Sequence, residues 1–185
     1  MEERIINRAQ EEIERFGYRR FTMDDIAAGL GISKKTLYKY FASKGELITA
    51  VLQKELERQK NIIEAVVETN EHWFDRLNAA MSGYCDNMMP AHHINEIKHY
   101  FPEQQKEIEN SERFCREQLG RLLQEGIQRG EIQPGLNVEM SLIIIQELLN
   151  FSVYNPTSNK DGMDAKQLLE EVKKIIFFGL VMRDW

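Results

Sequence analysis

The sequence has few cysteines, few prolines and no long apolar run. It contains 2 Cys and 4 Pro in 185 residues. Cys85 and Cys115 lie far apart and form no CxxC pair, so we expect free thiols rather than a disulfide framework. The longest apolar run, IIFFGLVM at 175–182, is too short to span a bilayer. The opening segment MEERIINRAQ is charged and lacks a signal-peptide apolar run, so we expect a cytoplasmic protein.

The motifs of common enzyme classes are also missing. The sequence shows no Ser-His-Asp order and no glycine-rich phosphate loop. Glu96 and His99, close to His92 and His93, give one Glu-x-x-His step. A di-metal helical bundle needs that step twice, together with further carboxylates. The sequence therefore predicts a protein that is not an enzyme, with no catalytic residue, no metal site and no cofactor.

What the sequence does have is apolar residues at helical spacing along nearly the whole chain, and no segment alternates as a strand does. We expect an all-α fold of about nine helices. The first, over about 2–16, carries Ile6, Ala9, Ile13 and Phe16 on one face, and Gly17 can end it. Proline and glycine positions divide the chain beyond residue 42 into predicted helices near 43–68, 70–89, 91–100, 103–129, 137–154 and 163–183.

Two short helices near the N-terminus have clear start and stop signals. Thr22 can cap the first of them, with Asp25 three residues on completing a capping box. Gly31 permits a tight turn, and Ser33 can cap the next helix at once. Two short helices separated by about three residues including a glycine have the spacing of a helix-turn-helix, which we place at about 22–41.

The charge is distributed unevenly between the two ends of the chain. The net charge is −6 overall, yet residues 15–44 carry a net charge of +5. Residues 49–185 carry −7. A basic N-terminal region joined to an acidic body indicates a polyanionic partner for the basic region.

The third predicted helix concentrates cations and phenols on one side. At about 100° per residue, Leu37 and Phe41 share the inward face, and Lys35 and Lys39 point away from it. Tyr38 lies on the outward arc, where a tyrosine has no core to fill. Lysines neutralise phosphates, and tyrosine and threonine hydroxyls can bind phosphate oxygens. This pattern favours double-stranded DNA as the partner, although lysines on a short helix are often only a solvated face.

The segment FTMDDIAAGLGISKKTLYKYFASKGELITAVL resembles the DNA-binding domain of the tetracycline-repressor (TetR) family of bacterial transcriptional regulators. The resemblance implies a homodimer that binds a palindromic operator, usually as a repressor released by a small molecule. It implies base contacts from the leading turn of the third helix and phosphate contacts around it. The candidate DNA-binding residues are Thr22, Ser33, Lys34, Lys35, Thr36, Tyr38, Tyr40 and Lys44. The family often has His at the position of Tyr40, so a hydroxyl would replace an imidazole there.

The predicted organisation is a DNA-binding domain over residues 1–48 and an effector-binding and dimerisation domain over residues 49–185. Effector pockets are mostly apolar with a few polar anchors. The candidate lining residues are Trp73, Met81, Tyr84, Met88, Tyr100, Phe101 and Phe114. Methionines and aromatics at helical spacing are also ordinary core residues, so both interpretations stay open.

The eighth and ninth predicted helices are too apolar for a one-sided surface helix. Residues 138, 142, 145 and 149 form one apolar stripe of the eighth helix, and residues 144, 148 and 151 form another. We expect the helices near 137–154 and 163–183 to form a homodimer interface. A helix pair buried within the monomer is the alternative. For the function, the alternatives are a helical protein-interaction module and a small helical enzyme on the same fold.

Overall fold

The all-α prediction is confirmed. The computed structural model describes residues 1–69, 71–87, 89–154 and 165–180, which form nine helices and no β-strand. Each helix after the third starts and ends within one turn of its predicted bounds, as far as the residues are described. The predicted helix positions 163–164 and 181–183 lie outside the described residues. The helices are α1 (Glu2–Arg20), α2 (Met23–Leu30), α3 (Lys34–Leu37), α4 (Lys44–Val67), α5 (Trp73–Asp86), α6 (Ala91–Tyr100), α7 (Gln105–Gln128), α8 (Val138–Tyr154) and α9 (Ala165–Leu180).

The end of α1 differs from the prediction. Gly17 is not helical, as expected, but its φ of 80° and ψ of 169° lie outside the left-handed helical region, and helical backbone resumes through Arg20. Phe16, predicted to face inward, is 50% exposed, whereas Tyr18 is buried. The break at Gly17 changes the direction of the backbone, so Tyr18 rather than Phe16 faces the core. Only glycine adopts a positive φ of this kind without strain.

The described residues form two compact units, and α6 belongs to the first. The first unit contains residues 1–58 and 89–111, and the second contains the described residues of 59–88 and 112–185. The predicted functional boundary between residues 48 and 49 remains a prediction, because compactness does not test what each part binds. In the first unit, α1 packs against both α2 and α6, and α2 packs against α3.

One apolar core holds the helices of the first unit together. Its fully buried members include Ile5, Ile26, Leu37, Leu47 and Leu52, from α1, α2, α3 and α4. Replacing a buried Leu or Ile by Ala typically costs about 2–5 kcal/mol of folding free energy. This core therefore fixes α3, which is too short to be stable as an isolated helix.

A separate core organises the second unit around α5, α7, α8 and α9. Trp73, Leu77 and Met81 of α5 are buried with Leu122 and Leu123 of α7. Helix α8 packs against α9, and α5 contacts both of them. The buried stripe of α8 consists of Leu142, Ile145 and Leu149.

Candidate nucleic-acid interface and effector region

Side-chain caps position the two helices of the helix-turn-helix. The Thr22 hydroxyl accepts a hydrogen bond from the Asp25 amide at 3.2 Å, and the Asp25 carboxylate accepts from the Thr22 amide at 2.9 Å. The predicted capping box is therefore confirmed, and it satisfies two amides that a helix start leaves without partners. Hydrogen bonds from the hydroxyl and the amide of Thr22 hold the pKa of Asp25 below its usual value.

The turn between α2 and α3 also forms as predicted. Gly31 has φ 64° and ψ 31°, the left-handed conformation that favours glycine. Its amide donates to the carbonyl of Ala28, and the amide of Ile32 donates to the carbonyl of Ala27. Ser33 then caps α3, since its hydroxyl accepts from the Thr36 amide at 3.1 Å.

The outward side of α3 and of the turn that follows it carries the predicted cations and phenols. Leu37 and Phe41 are buried, which fixes the inward side. Tyr38 is 48% exposed and Tyr40 is 41% exposed, which is unusual for residues of this size. We call the exposed or half-exposed residues of this stretch the α3 surface; its members are Lys34, Lys35, Thr36, Tyr38, Lys39 and Tyr40.

Lys34 is already engaged in an ion pair. Its ammonium donates to the Asp24 carboxylate at 2.5 Å, and both side chains are more than half exposed. The hydrogen bond to Asp24 raises the pKa of Lys34 above its usual value. Exposed pairs of this kind are weak and are screened by salt, so a phosphate can compete with Asp24 for the lysine. This pairing could not be predicted from the sequence, because Asp24 and Lys34 belong to different helices.

Lys44 lies in a setting that the sequence did not predict. Its ammonium donates to the carbonyls of Arg19 and Phe21, at 2.8 and 2.7 Å. It also lies 4.2 Å from the centre of the Phe21 ring and 5.6 Å from that of Phe101. Burial lowers the pKa of Lys44, while Glu96 and Asp25 act in the opposite direction. Two of its three N–H donors are thus used within the protein, and its predicted phosphate contact stays a prediction.

The candidate effector residues are divided between the two units. Trp73 and Met81 are buried in the core of the second unit, and Phe114 there lies half-buried beneath the Lys60 ammonium. In the first unit, Tyr100 is exposed and Phe101 packs against the core. Met88 lies outside the described residues. The effector role of these candidates stays a prediction.

One of the candidates, Tyr84, lines a small cavity. The cavity lies within the second unit, where α5, α7 and α8 meet, and has a volume of about 10 Å³. That is room for about one water molecule. Its wall is formed by Tyr84, Glu112, Cys115, Arg116, Leu119, Leu142, Gln146 and Leu149. An effector larger than a water molecule can enter only if these helices move apart.

Helices α8 and α9 expose large apolar side chains. Ile144 is 57% exposed and Ile175 is 67% exposed, although Ile145 and Ile176 beside them are buried. We call the exposed set the α8–α9 apolar residues; its members are Met140, Ile143, Ile144, Phe151, Ile175 and Phe178. Of the two predicted stripes of α8, the one containing Leu142, Ile145 and Leu149 is buried, and the one containing Ile144 and Phe151 is exposed.

In the described part of the chain, no helix is both long enough and apolar enough to cross a membrane. Within the same residues, no group of three or more His, Cys, Asp or Glu side chains is arranged to hold a metal ion.

Comparisons with known proteins agree with this geometry. Residues 5–51 match the family model of bacterial regulatory proteins of the tetR family. The chain is 40% identical over 68 residues to the HTH-type transcriptional regulator YvaF of Bacillus subtilis, covering 37% of this chain and 35% of YvaF. It is 26% identical over 174 residues to the HTH-type transcriptional repressor KstR2 of Mycobacterium tuberculosis, covering 89% of this chain and 84% of KstR2.

Among solved structures, the transcriptional regulator FadR of Bacillus subtilis in complex with stearoyl-CoA has the same fold. The superposition has a TM-score of 0.75 at 22% identity, and it covers 97% of this chain and 99% of FadR. The matched N-terminal segment contains α2, its capping box, the glycine turn and α3, which are the parts that position the α3 surface. The N-terminal region, residues 5–51, belongs to the tetR family of bacterial regulatory proteins.

Proposed function

We propose that this protein is a repressor that binds a palindromic DNA operator as a homodimer and loses operator affinity when a small-molecule effector binds. The observation that carries the proposal is the α3 surface. Buried Leu37 fixes the orientation of α3, and Tyr38 and the neighbouring lysines are left exposed. Exposed cations and phenols on a short helix match the phosphates and base edges of a major groove.

The residues of the α3 surface divide into two proposed roles. Lys34, Lys35 and Thr36 occupy the leading turn of α3, the part of a recognition helix that reaches base edges. Tyr38 and Tyr40 follow that turn, and their hydroxyls can donate to phosphate oxygens. The ion pair between Lys34 and Asp24 must open, or share its lysine, for Lys34 to contact DNA.

The α8–α9 apolar residues support a homodimer. Large aliphatic and aromatic side chains with about half or more of their surface in water favour an apolar partner. A second copy of the same pair of helices supplies a matching surface, as in an isologous four-helix interface. A dimer can place two α3 helices about 34–36 Å apart, the spacing of successive major grooves on one face of DNA.

An effector with an apolar body fits the lining of the cavity in the second unit. The apolar part of its lining consists of Leu119, Leu142 and Leu149, and the guanidinium of Arg116 is a positively charged group beside them. In the similar FadR structure the bound molecule is stearoyl-CoA, which combines an acyl chain with anionic groups. A ligand that binds only an opened form of the second unit shifts the protein toward that form, and linkage requires that DNA weaken the ligand equally.

The proposal is tested by selecting DNA with the full-length protein. We expect the wild-type chain to enrich a palindromic duplex from a random-sequence library. Its affinity for that duplex should fall steeply with salt, because bound lysines release counterions from DNA. Stearoyl-CoA is the first effector probe, and an effector should lower the affinity for the selected duplex. A chain that enriches no duplex at any salt concentration would instead be a protein-interaction module on this fold.

A further inference from the structure

Helix α6 contacts the break in α1 within the first unit. The Glu96 carboxylate accepts a hydrogen bond from the amide of Tyr18 at 2.7 Å, a contact between residues 78 positions apart. That amide is the first after non-helical Gly17, and the amides that follow a break need acceptors from outside the helix. A charged acceptor makes a stronger hydrogen bond than a neutral one.

Gly17 leaves just enough space for this carboxylate. A Cβ atom added at Gly17 would lie 2.6 Å from one Glu96 oxygen and 2.9 Å from the other. Glu96 is only partly exposed, and its neighbour Ile97 is fully buried in the core of the first unit. The position of the carboxylate is therefore set by packing on α6 and by the absence of a side chain at Gly17.

Other contacts hold the same short segment of α1. The guanidinium of Arg19 donates to the Tyr100 hydroxyl at 3.1 Å and lies 4.9 Å from the centre of its ring. From α4, the ammonium of Lys44 donates to the carbonyls of Arg19 and Phe21. Residues 18–21 thus have an anion at their first amide and a cation at the carbonyls of Arg19 and Phe21, which matches the polarity of a helical turn.

This segment leads directly into the helix-turn-helix. Phe21 is buried, and Thr22, the next residue, caps α2. A change in the direction of residues 18–20 therefore moves the start of α2, and with it α3. The sequence alone gave no sign of this link, because Glu96 is distant from α1 along the chain.

We propose that Glu96 is a positioning residue for DNA recognition, whose carboxylate fixes the end of α1 and thereby the orientation of the helix-turn-helix. This inference rests on the proposed DNA-binding function. Glu96 itself need not touch DNA, so its loss should lower affinity without removing a phosphate contact. The number of counterions released should then stay constant, and so should the salt slope.

The test compares four variants of the full-length protein on the duplex that the wild-type chain selects. Glu96→Ala removes the acceptor, and Glu96→Gln keeps an oxygen that can accept from the Tyr18 amide. Glu103→Ala and Glu103→Gln are matched controls, since Glu103 is an exposed acidic residue of the same unit. Affinity is measured over a range of salt concentrations, and hydrogen exchange is followed at the Tyr18 amide.

Glu96→Ala should speed exchange of the Tyr18 amide at least about 10-fold and weaken DNA binding about 10-fold, the scale of one charged hydrogen bond. The salt slope should not change. Glu96→Gln should show a smaller loss, and the Glu103 variants should bind within about twofold of the wild type. If Glu96→Ala does not fold, Glu96→Gln is compared with Glu103→Gln by the same measurements.

Equal affinities for the Glu96 variants and their Glu103 controls would overturn the inference, and so would a loss of affinity with unchanged Tyr18 exchange. Failure of the wild-type chain to select any duplex is a different result, because it removes the proposed function itself.

Gly17→Ala tests the same contact from the other side. The added methyl group should displace the Glu96 carboxylate and weaken DNA binding, in addition to the backbone strain at a positive φ. Part of that loss comes through Glu96, so the double variant with Glu96→Ala should lose less affinity than the sum of the two single changes. Strict additivity would count against the contact.

Discussion

The α3 surface and the α8–α9 apolar residues are both exposed, but they differ in chemistry. The α3 surface offers lysines and phenols, which match a polyanion. The α8–α9 residues offer only aliphatic and aromatic carbon and one thioether, which match another apolar surface. Exposure alone therefore does not identify a partner, whereas the polar or apolar character of the exposed atoms indicates its class.

The two surfaces also differ in how their orientation is fixed. Around α3, side-chain caps at Thr22 and Ser33 and a left-handed glycine at 31 set each turn. On α8, the Asn137 side chain accepts a hydrogen bond from the Met140 amide at 3.0 Å, and the buried stripe of Leu142, Ile145 and Leu149 sets which side faces outward. The first surface depends on several local hydrogen bonds as well as on buried Leu37, whereas the second depends mainly on packing.

The largest expected effect comes from placing a charge among the α8–α9 apolar residues. Ile144→Glu should weaken dimerisation at least about 100-fold, because an unpaired carboxylate is costly to bury. Operator affinity should fall with it, since a monomer reads one half-site. Sedimentation velocity over a range of concentrations measures the effect. Gln124→Glu, at an exposed position of α7, is the matched control and should leave the dimer intact.

If both glutamate variants sediment like the wild type, the α8–α9 apolar residues are not the dimer interface. The contrast between the two surfaces would then be lost, because only the α3 surface would have an identified partner.

The next effect separates the lysines of the α3 surface. Lys35→Ala should cost about 1–3 kcal/mol of binding to the selected duplex and much less on random DNA, if Lys35 reads a base. Lys39→Ala should weaken both duplexes alike and reduce the salt slope by about one, as expected of a phosphate contact. Fluorescence anisotropy titrations on both duplexes make the comparison. If each variant loses the same affinity on the selected duplex as on random DNA, Lys35 and Lys39 do not have these different roles.

A smaller effect is expected from removing one hydroxyl. Tyr38→Phe should weaken binding by about 0.5–1.5 kcal/mol, the usual net worth of a hydrogen bond. Thermal stability should not change, because the exposed ring can keep its place. Calorimetry of the free protein tests the expected thermal stability, and anisotropy on the selected duplex tests the expected loss of affinity. Unchanged affinity would mean that this phenol does not donate to DNA.

The smallest expected effect is a dependence of folding stability on pH, which we assign to the first unit. Of the four histidines only His93, in the first unit, is buried. Burial lowers its pKa below the ordinary 6.5, and neighbouring His92 acts in the same direction, whereas Glu96 and Glu14 oppose it. The unfolded chain then binds more protons than the folded chain just below pH 6.5, so stability should fall as the pH drops through that range.

Thermal unfolding at pH 7.5 and 5.5 measures this dependence. His93→Gln should flatten it, because the variant lacks the buried imidazole. A pH dependence that survives in the His93 variant would assign it to other groups.

Much of the fold could be predicted because its signals are local. The capping box at Thr22, the glycine turn at 31 and the Ser33 cap depend on residues at most five positions apart, and each formed as predicted. Phe16 was wrongly placed in the core, because periodicity was extended up to a glycine that changes the direction of the backbone. The effector candidates could not be sorted, because pocket and core residues have the same composition.

The helical stretches, the starts of α2 and α3 and the outward side of α3 can all be read from the sequence, because hydrogen bonds and periodicity over a few residues decide these features. The fold was needed to show that Lys44 holds the end of α1, that Asp24 pairs with Lys34 and that the Glu96 carboxylate accepts from the Tyr18 amide. Those contacts join residues 10 to 78 positions apart. Such partners are chosen by how whole helices are arranged against one another, and apolar periodicity marks which face of a helix packs but not which residue it meets.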